Sequence, residues 1–244
     1  METTLHQQLK QRYATDGARQ EVVLGDYRID VVKGDEQLIE IQHGSLAAIR
    51  DKIGRLLKKH DVLVVKPLVI RKQLVLLDRR GGRVVSRRGS PKRGQIWDLF
   101  HELVYFTRVF PHPRLVLEVP LVEIEEWRFP GHGRRRRWRS KDHVVEDQRL
   151  TKVESTMTLR TVDDLLRLLP SDLPCPFHTG HLAESAGMQR WVAQRVAYCL
   201  RKTGAVVQDG KQGNALLYRI AAPTQVEVAA TSAAPKRTRL KKLA

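Results

Sequence analysis

Cysteine is nearly missing: Cys175 and Cys199 are the two in 244 residues, too few for a disulfide framework. A reducing, cytoplasmic setting is expected. No apolar run approaches the roughly 18 residues of a membrane-spanning helix. The opening METTLHQQLKQRYATDG has no apolar signal-peptide centre, and no membrane association is expected. Internal repeats are absent. Acid is scarce: 27 Asp and Glu stand against 44 Lys and Arg, a net charge of +17. Such an excess attracts polyanions: of the two candidates, nucleic acid and an acidic membrane surface, nucleic acid is the expected partner. Hydrophobic residues at 41% suffice for packed cores, and the length suits one large domain or two small ones.

What is present begins with a short amphipathic helix over 4–13, marked by Leu5 and Leu9 at i, i+4. Strands are expected over 20–24, 27–32 and 37–42, with Lys33-Gly34-Asp35-Glu36 as hairpin turn. Ser45 is a helix cap, followed by Ile49, Ile53, Leu56 and Leu57 on one face. The continuous run 62–65 suits a strand buried on both sides, and 69–77 continues after a bend at Pro67. Further on, 95–108 has helical period, 115–126 is strand-like with Pro120 pushing it towards an edge, 150–159 is another strand and 161–169 a helix capped by Thr161. The expected class is α/β.

The stretch IDVVKGDEQLIEIQ, residues 29–42, sets Asp30 on one strand and Glu40 on the next, with Gln42 two positions on. Carboxylates are depleted in ordinary strands. Alternation groups Tyr27, Ile29 and Val31 on one face, and Ile39 with Ile41. If these faces coincide, Asp30, Glu40 and Gln42 share the other. Two carboxylates side by side repel unless one is protonated or a cation lies between them. Magnesium is the natural cation, since it is hard and needs only one or two protein carboxylates.

Helix, three strands, helix, strand, with Asp30 separated by nine residues from Glu40-Ile41-Gln42, resembles the PD-(D/E)XK nuclease superfamily over roughly the first 80 residues. The resemblance implies a restriction-endonuclease-like core (α-β-β-β-α-β) and phosphodiester hydrolysis assisted by Mg²⁺ or Mn²⁺. Asp30 and Glu40 would be metal ligands, with Glu21 a third acidic candidate. Gln42 stands where the superfamily usually has lysine, as in its Glu-x-Gln members. Such families can move the lysine to the following helix, which makes Lys52 the candidate substitute.

After the proline-rich PSDLPCP, residues 180–186 and 189–202 read as two helices, and AVVQDGKQGNALLYRI as two strands around a glycine-rich turn. Helix, turn, helix, hairpin is the order of a winged helix, whose second helix lies in the major groove. Arg190, Gln194, Arg195 and Arg201 on that helix and Lys211 in the wing are the candidate nucleic-acid contacts. The expected division is a nuclease-like domain over 1–160, a winged helix over 161–220 and a basic disordered tail over 221–244. DNA is expected before RNA, a homodimer is left open, and the rival reading is a catalytically inactive nuclease-fold DNA-binding regulator. GHGRRRRWRSKD is read as a backbone-clamping loop. Cys175, His178 and His181 lack a fourth ligand for structural zinc. Glu123, Glu125 and Glu126 are read as a surface cluster.

Overall fold

The computed structural model describes residues 3–15, 17–34, 36–131 and 143–221. The turn residue Asp35, the basic loop 132–142 and the tail from 222 onwards lie outside the described residues. The first element is α1 (Thr4–Tyr13), begun where the Thr3 hydroxyl accepts the His6 N–H. Leu5 and Leu9, one turn apart, are fully buried. Three antiparallel strands follow: β1 (Arg19–Leu24), β2 (Tyr27–Val32) and β3 (Leu38–Ile41). Gly25, at φ +57°, makes the two-residue turn between the first pair. A 3-10 turn capped by Ser45 leads into α2 (Arg50–Leu56). Next come β4 (Val62–Val65), buried along its length, β5 (Leu68–Leu77) and β6 (Val84–Gly89). The last of these is exposed throughout and has no apolar alternation to announce it.

The helical pattern over 95–108 yields a 3-10 turn and then the short α3 (Leu99–Leu103). Two long strands, β7 (Leu115–Pro130) and β8 (His143–Leu159), pair along most of their length. The described chain closes with α4 (Val162–Leu166), α5 (Thr179–Ser185), α6 (Arg190–Thr203) and the hairpin β9 (Val206–Gln212) and β10 (Ala215–Ile220).

Eight strands form one mixed sheet with β7 as its spine. One edge of β7 takes β8. The other takes β4 against residues 115–118 and β5 against residues 121–128, both parallel to it. Thus β4 and β5 behave as one bent strand, interrupted at Lys66-Pro67. Pro120 sits at that handover in a central strand, not at the edge its sequence suggests. The Glu118 carbonyl accepts the Lys66 N–H, and peptide groups alternate in direction along a strand. The Pro120 nitrogen therefore faces the same side, where β4 has ended and β5 resumes at the Leu68–Leu121 pair. Its missing N–H falls in the break and not inside a ladder.

Apolar side chains pack in two clusters, one on each face of the sheet. On one, Leu5 and Leu9 of α1 cover Val31, Ile39, Ile41, Leu63 and Val65. On the other, Ile53 of α2, Phe100 of α3, Leu165 of α4 and Leu200 of α6 pack with Leu38, Val64 and Leu117. That second cluster runs on to Tyr218 of β10 and holds both Leu159 and Leu165. The sheet and the C-terminal helices therefore share one core across residue 160. The result is a mixed α/β architecture with helices on both faces of a large sheet.

Candidate active site

The strands β2 and β3 pair at only two positions, Val31–Ile39 and Val32–Leu38. The next antiparallel pair would be Asp30 and Glu40, and there the strands part. Asp30 reaches across the gap: its Oδ2 accepts the Ile41 N–H at 2.8 Å, a position that a β2 carbonyl would fill in a continuous ladder. In return the Asp30 N–H favours the charged form of the Glu40 carboxylate. Asp30 thus closes on the backbone of β3.

Packing records the distortion. Ile29 belongs to the cluster under α2 and Val31 to the cluster under α1, although alternation puts them on one face. A fork, not a common sheet face, brings Asp30 and Glu40 together. Glu21, opposite Asp30 in the β1–β2 register, has φ of +55°, the left-handed region uncommon outside glycine. The backbone of β1 is therefore distorted at this position.

Charge follows from burial. Glu40 is 5% exposed. Its Oε1 contacts the Lys52 ammonium, which also donates to the Arg28 carbonyl at 2.6 Å and so ties β3 to β2 from α2. Burial lifts Glu40 above the usual carboxylate range; Lys52 opposes that lift and the Asp30 charge adds to it. For Asp30, burial pulls upward, but His6 Nε2 at 3.3 Å and the Ile41 N–H outweigh it and hold the carboxyl low. Glu21 is held low chiefly by its hydrogen bond from Lys10, and Arg28 also pairs with it. Its distance in role from Glu40 is clear: both its oxygens already face cations.

Gln42 is turned to the loop that follows, its Nε2 donating to the Ser45 carbonyl at 2.8 Å. Lys66, 6% exposed, clamps the same loop through the His43 carbonyl at 3.1 Å and the Gly44 carbonyl at 2.5 Å. His6 and Lys66 escaped the sequence reading. Neither has a local signal, since each meets its partners through residues more than 20 positions away.

Among the described residues no three His, Cys, Asp or Glu side chains are grouped to hold a metal ion. With Glu21 engaged by Lys10 and Arg28, the pair Asp30 and Glu40 remains. The pair fits a hard divalent cation in donor chemistry: two oxygen ligands suffice for one, and the cation relieves the repulsion that helps raise Glu40.

The other sequence candidates lie on α6 and beyond. Arg190, Gln194, Arg195 and Arg201 are exposed, as is Lys211 near the tip of the β9–β10 hairpin. Gln194 and Arg195 border a cleft against α3, where Arg195 Nη1 lies 2.8 Å from His101 Nδ1. Arg190, Arg201 and Lys211 do not line that cleft. His178 caps α5, its Nδ1 accepting the Gly180 and His181 N–H groups at 3.0 and 3.1 Å. Cys199 is buried, with its thiol directed to the Phe100 carbonyl. The acidic cluster on β7 is a ladder of ion pairs, Glu123 with Arg71, Glu125 with Arg87, and Glu126 with Lys72 and Arg128.

The model of a family described as a domain of unknown function (DUF8091) matches residues 3–160, which contain the fork but neither α5, α6 nor the final hairpin. An uncharacterized protein of Treponema pallidum (strain Nichols) is 31% identical over 219 residues, covering 89% of this chain and 85% of that protein. That alignment is longer than the family's span, so similarity continues outside it. No solved structure matches the chain significantly. With 158 of its 244 residues, fork included, inside the matched span, the chain belongs to the DUF8091 family.

Proposed function

We propose that this protein is a divalent-metal-dependent nuclease, with DNA before RNA as substrate. In this reading α1, β1–β3, α2 and β4 form a restriction-endonuclease-like core, and α5, α6 and the β9–β10 hairpin form a winged helix. One observation carries it: where β2 and β3 part, the buried Glu40 carboxylate contacts Lys52 and feels the charge of Asp30. Asp30 and Glu40 would hold Mg²⁺ or Mn²⁺, which when bound supplies Lewis acidity at a phosphate oxygen and a water of lowered pKa. Lys52 brings to the fork the positive charge that Gln42 lacks, and a fixed cation steadies charge that develops on phosphate. His6 is a positioning residue, since it holds Asp30 from α1.

The test is incubation of the purified protein with plasmid, in Mg²⁺, in Mn²⁺ and in EDTA. Cleavage is expected with either ion and not in EDTA. Glu40→Ala is expected to keep nucleic-acid affinity and lose cleavage. Equal cleavage by this variant and its parent removes the enzyme claim. A second reading, a DNA-binding regulator on a nuclease fold without its chemistry, is favoured by the Gln42 amide being held by Ser45. It predicts binding that is indifferent to metal and no cleavage with either ion.

A further inference from the structure

We infer that the cleft between α3 and α6 binds an unpaired nucleobase, so that the nucleic acid presents a single-stranded segment to this face. The starting point is an asymmetry in exposure. Three aromatic side chains are exposed among the described residues, Tyr105 at 51%, Trp191 at 48% and Tyr198 at 38%. All three line one cleft of about 380 Å³. Exposed apolar area gathered in one place marks a binding surface more often than chance does.

The walls suit a flat, polar-edged ring. The Trp191 indole is backed by the His101 imidazole, with centroids 4.9 Å apart and planes 9° from parallel. Arg195 is bonded to His101 and lies 5.2 Å from the Trp191 centroid. Ring, imidazole and guanidinium therefore brace one another, which lowers the entropy lost on binding. The Lys202 ammonium lies 5.9 Å from the Tyr198 ring. Gln194, on the rim, both donates and accepts hydrogen bonds, as the edge of a base requires. No acidic side chain lines the cleft, and the chain carries +17 overall. Aromatic faces interleaved with cations are the means by which proteins hold unpaired bases on a phosphate chain.

The same geometry disfavours a duplex here. A recognition helix enters a major groove with an open face, but α3 walls the Trp191, Gln194, Arg195 and Tyr198 stripe of α6. A base that has left its stack can enter; a paired one cannot. The inference depends on the preceding reading for nucleic acid as partner, not for cleavage.

The test is fluorescence anisotropy in EDTA, where no cleavage occurs. The probes are labelled oligothymidylate and oligouridylate of about a dozen nucleotides, an abasic strand of equal phosphate count, and a blunt duplex of equal length. Oligothymidylate is expected to bind about 10-fold more tightly than the abasic strand. Trp191→Ala should lose most of that advantage while binding the abasic strand as its parent does, which also reports that the variant is folded. Trp191→Phe should keep most of it, and Tyr105→Ala, at a surface position, should lose several-fold. Oligouridylate should show the same dependence on Trp191. Equal binding of the abasic and thymidylate strands, duplex binding that depends on Trp191 as oligothymidylate binding does, or a Trp191→Ala protein that holds oligothymidylate as tightly as its parent would overturn the inference. None of these outcomes bears on cleavage, which the Glu40→Ala plasmid assay decides separately.

Discussion

Asp30 and Glu40 respond to the same fork in opposite senses, and pH separates them. For Glu40, burial first and the Asp30 charge after it raise the folded pKa above the unfolded value of about 4.3. The folded state then holds the proton more tightly, so stability is lost as pH rises through the folded value. Glu40→Gln removes that loss. Its stability relative to the parent, measured by urea unfolding, is expected to be more favourable at pH 7 than at pH 4. Asp30 is held low by His6 and the Ile41 N–H against its burial. It contributes stability above its unfolded value of about 3.9 that disappears as pH falls through the folded one. The deficit of Asp30→Asn is therefore expected to be larger at pH 7 than at pH 3. A carboxylate kept at a cost in stability is what a functional site retains, and matching pH profiles for the two variants would contradict the described electrostatics.

At the scale of elements, α1 matters because it delivers His6 to Asp30. It is pinned to β8 at its first residue: the Asp147 carboxylate accepts the Thr4 N–H at 2.9 Å and the Thr4 hydroxyl at 2.6 Å. Gln8 adds a bond from the Leu150 N–H at 2.7 Å, and the Tyr13 hydroxyl donates to Glu118 at 2.7 Å. Hydrogen bonds to a charged acceptor contribute about 1.5–3 kcal/mol each to stability. Asp147→Ala is expected to cost about 2 kcal/mol in urea unfolding and to speed amide exchange in α1 before α6. Uniform exchange across both helices would show that α1 is held by its apolar face alone.

Over the whole molecule, the excess of Lys and Arg governs association. Many lysines and arginines here are spent on internal pairs, such as Arg71, Arg87 and Lys72 along β7. The remainder still leaves +17. Release of counterions from a neutralised phosphate chain makes affinity fall steeply with salt. Binding to a mixed-sequence DNA is expected to weaken at least about 100-fold between roughly 50 and 200 mM salt. An affinity that is flat across that range in a filter-binding titration would point to a protein partner.

The residue sequence by itself determined the elements whose signal is local. The i, i+4 leucines of α1, the β-branched run of β4, the inner face Val192, Val196, Cys199 and Leu200 of α6, and the overall α/β class were all legible, because period and burial are written into neighbouring positions. So was the presence of two carboxylates on adjoining strands. Tertiary structure alone decided that β2 and β3 fork at Asp30, that His6 and Lys52 approach from opposite faces of the sheet, that Pro120 falls in the break of a central strand, and that α3 walls one side of α6. Each of these depends on where a distant segment comes to rest, and such contacts follow from the packing of the whole core, which no short window of sequence contains.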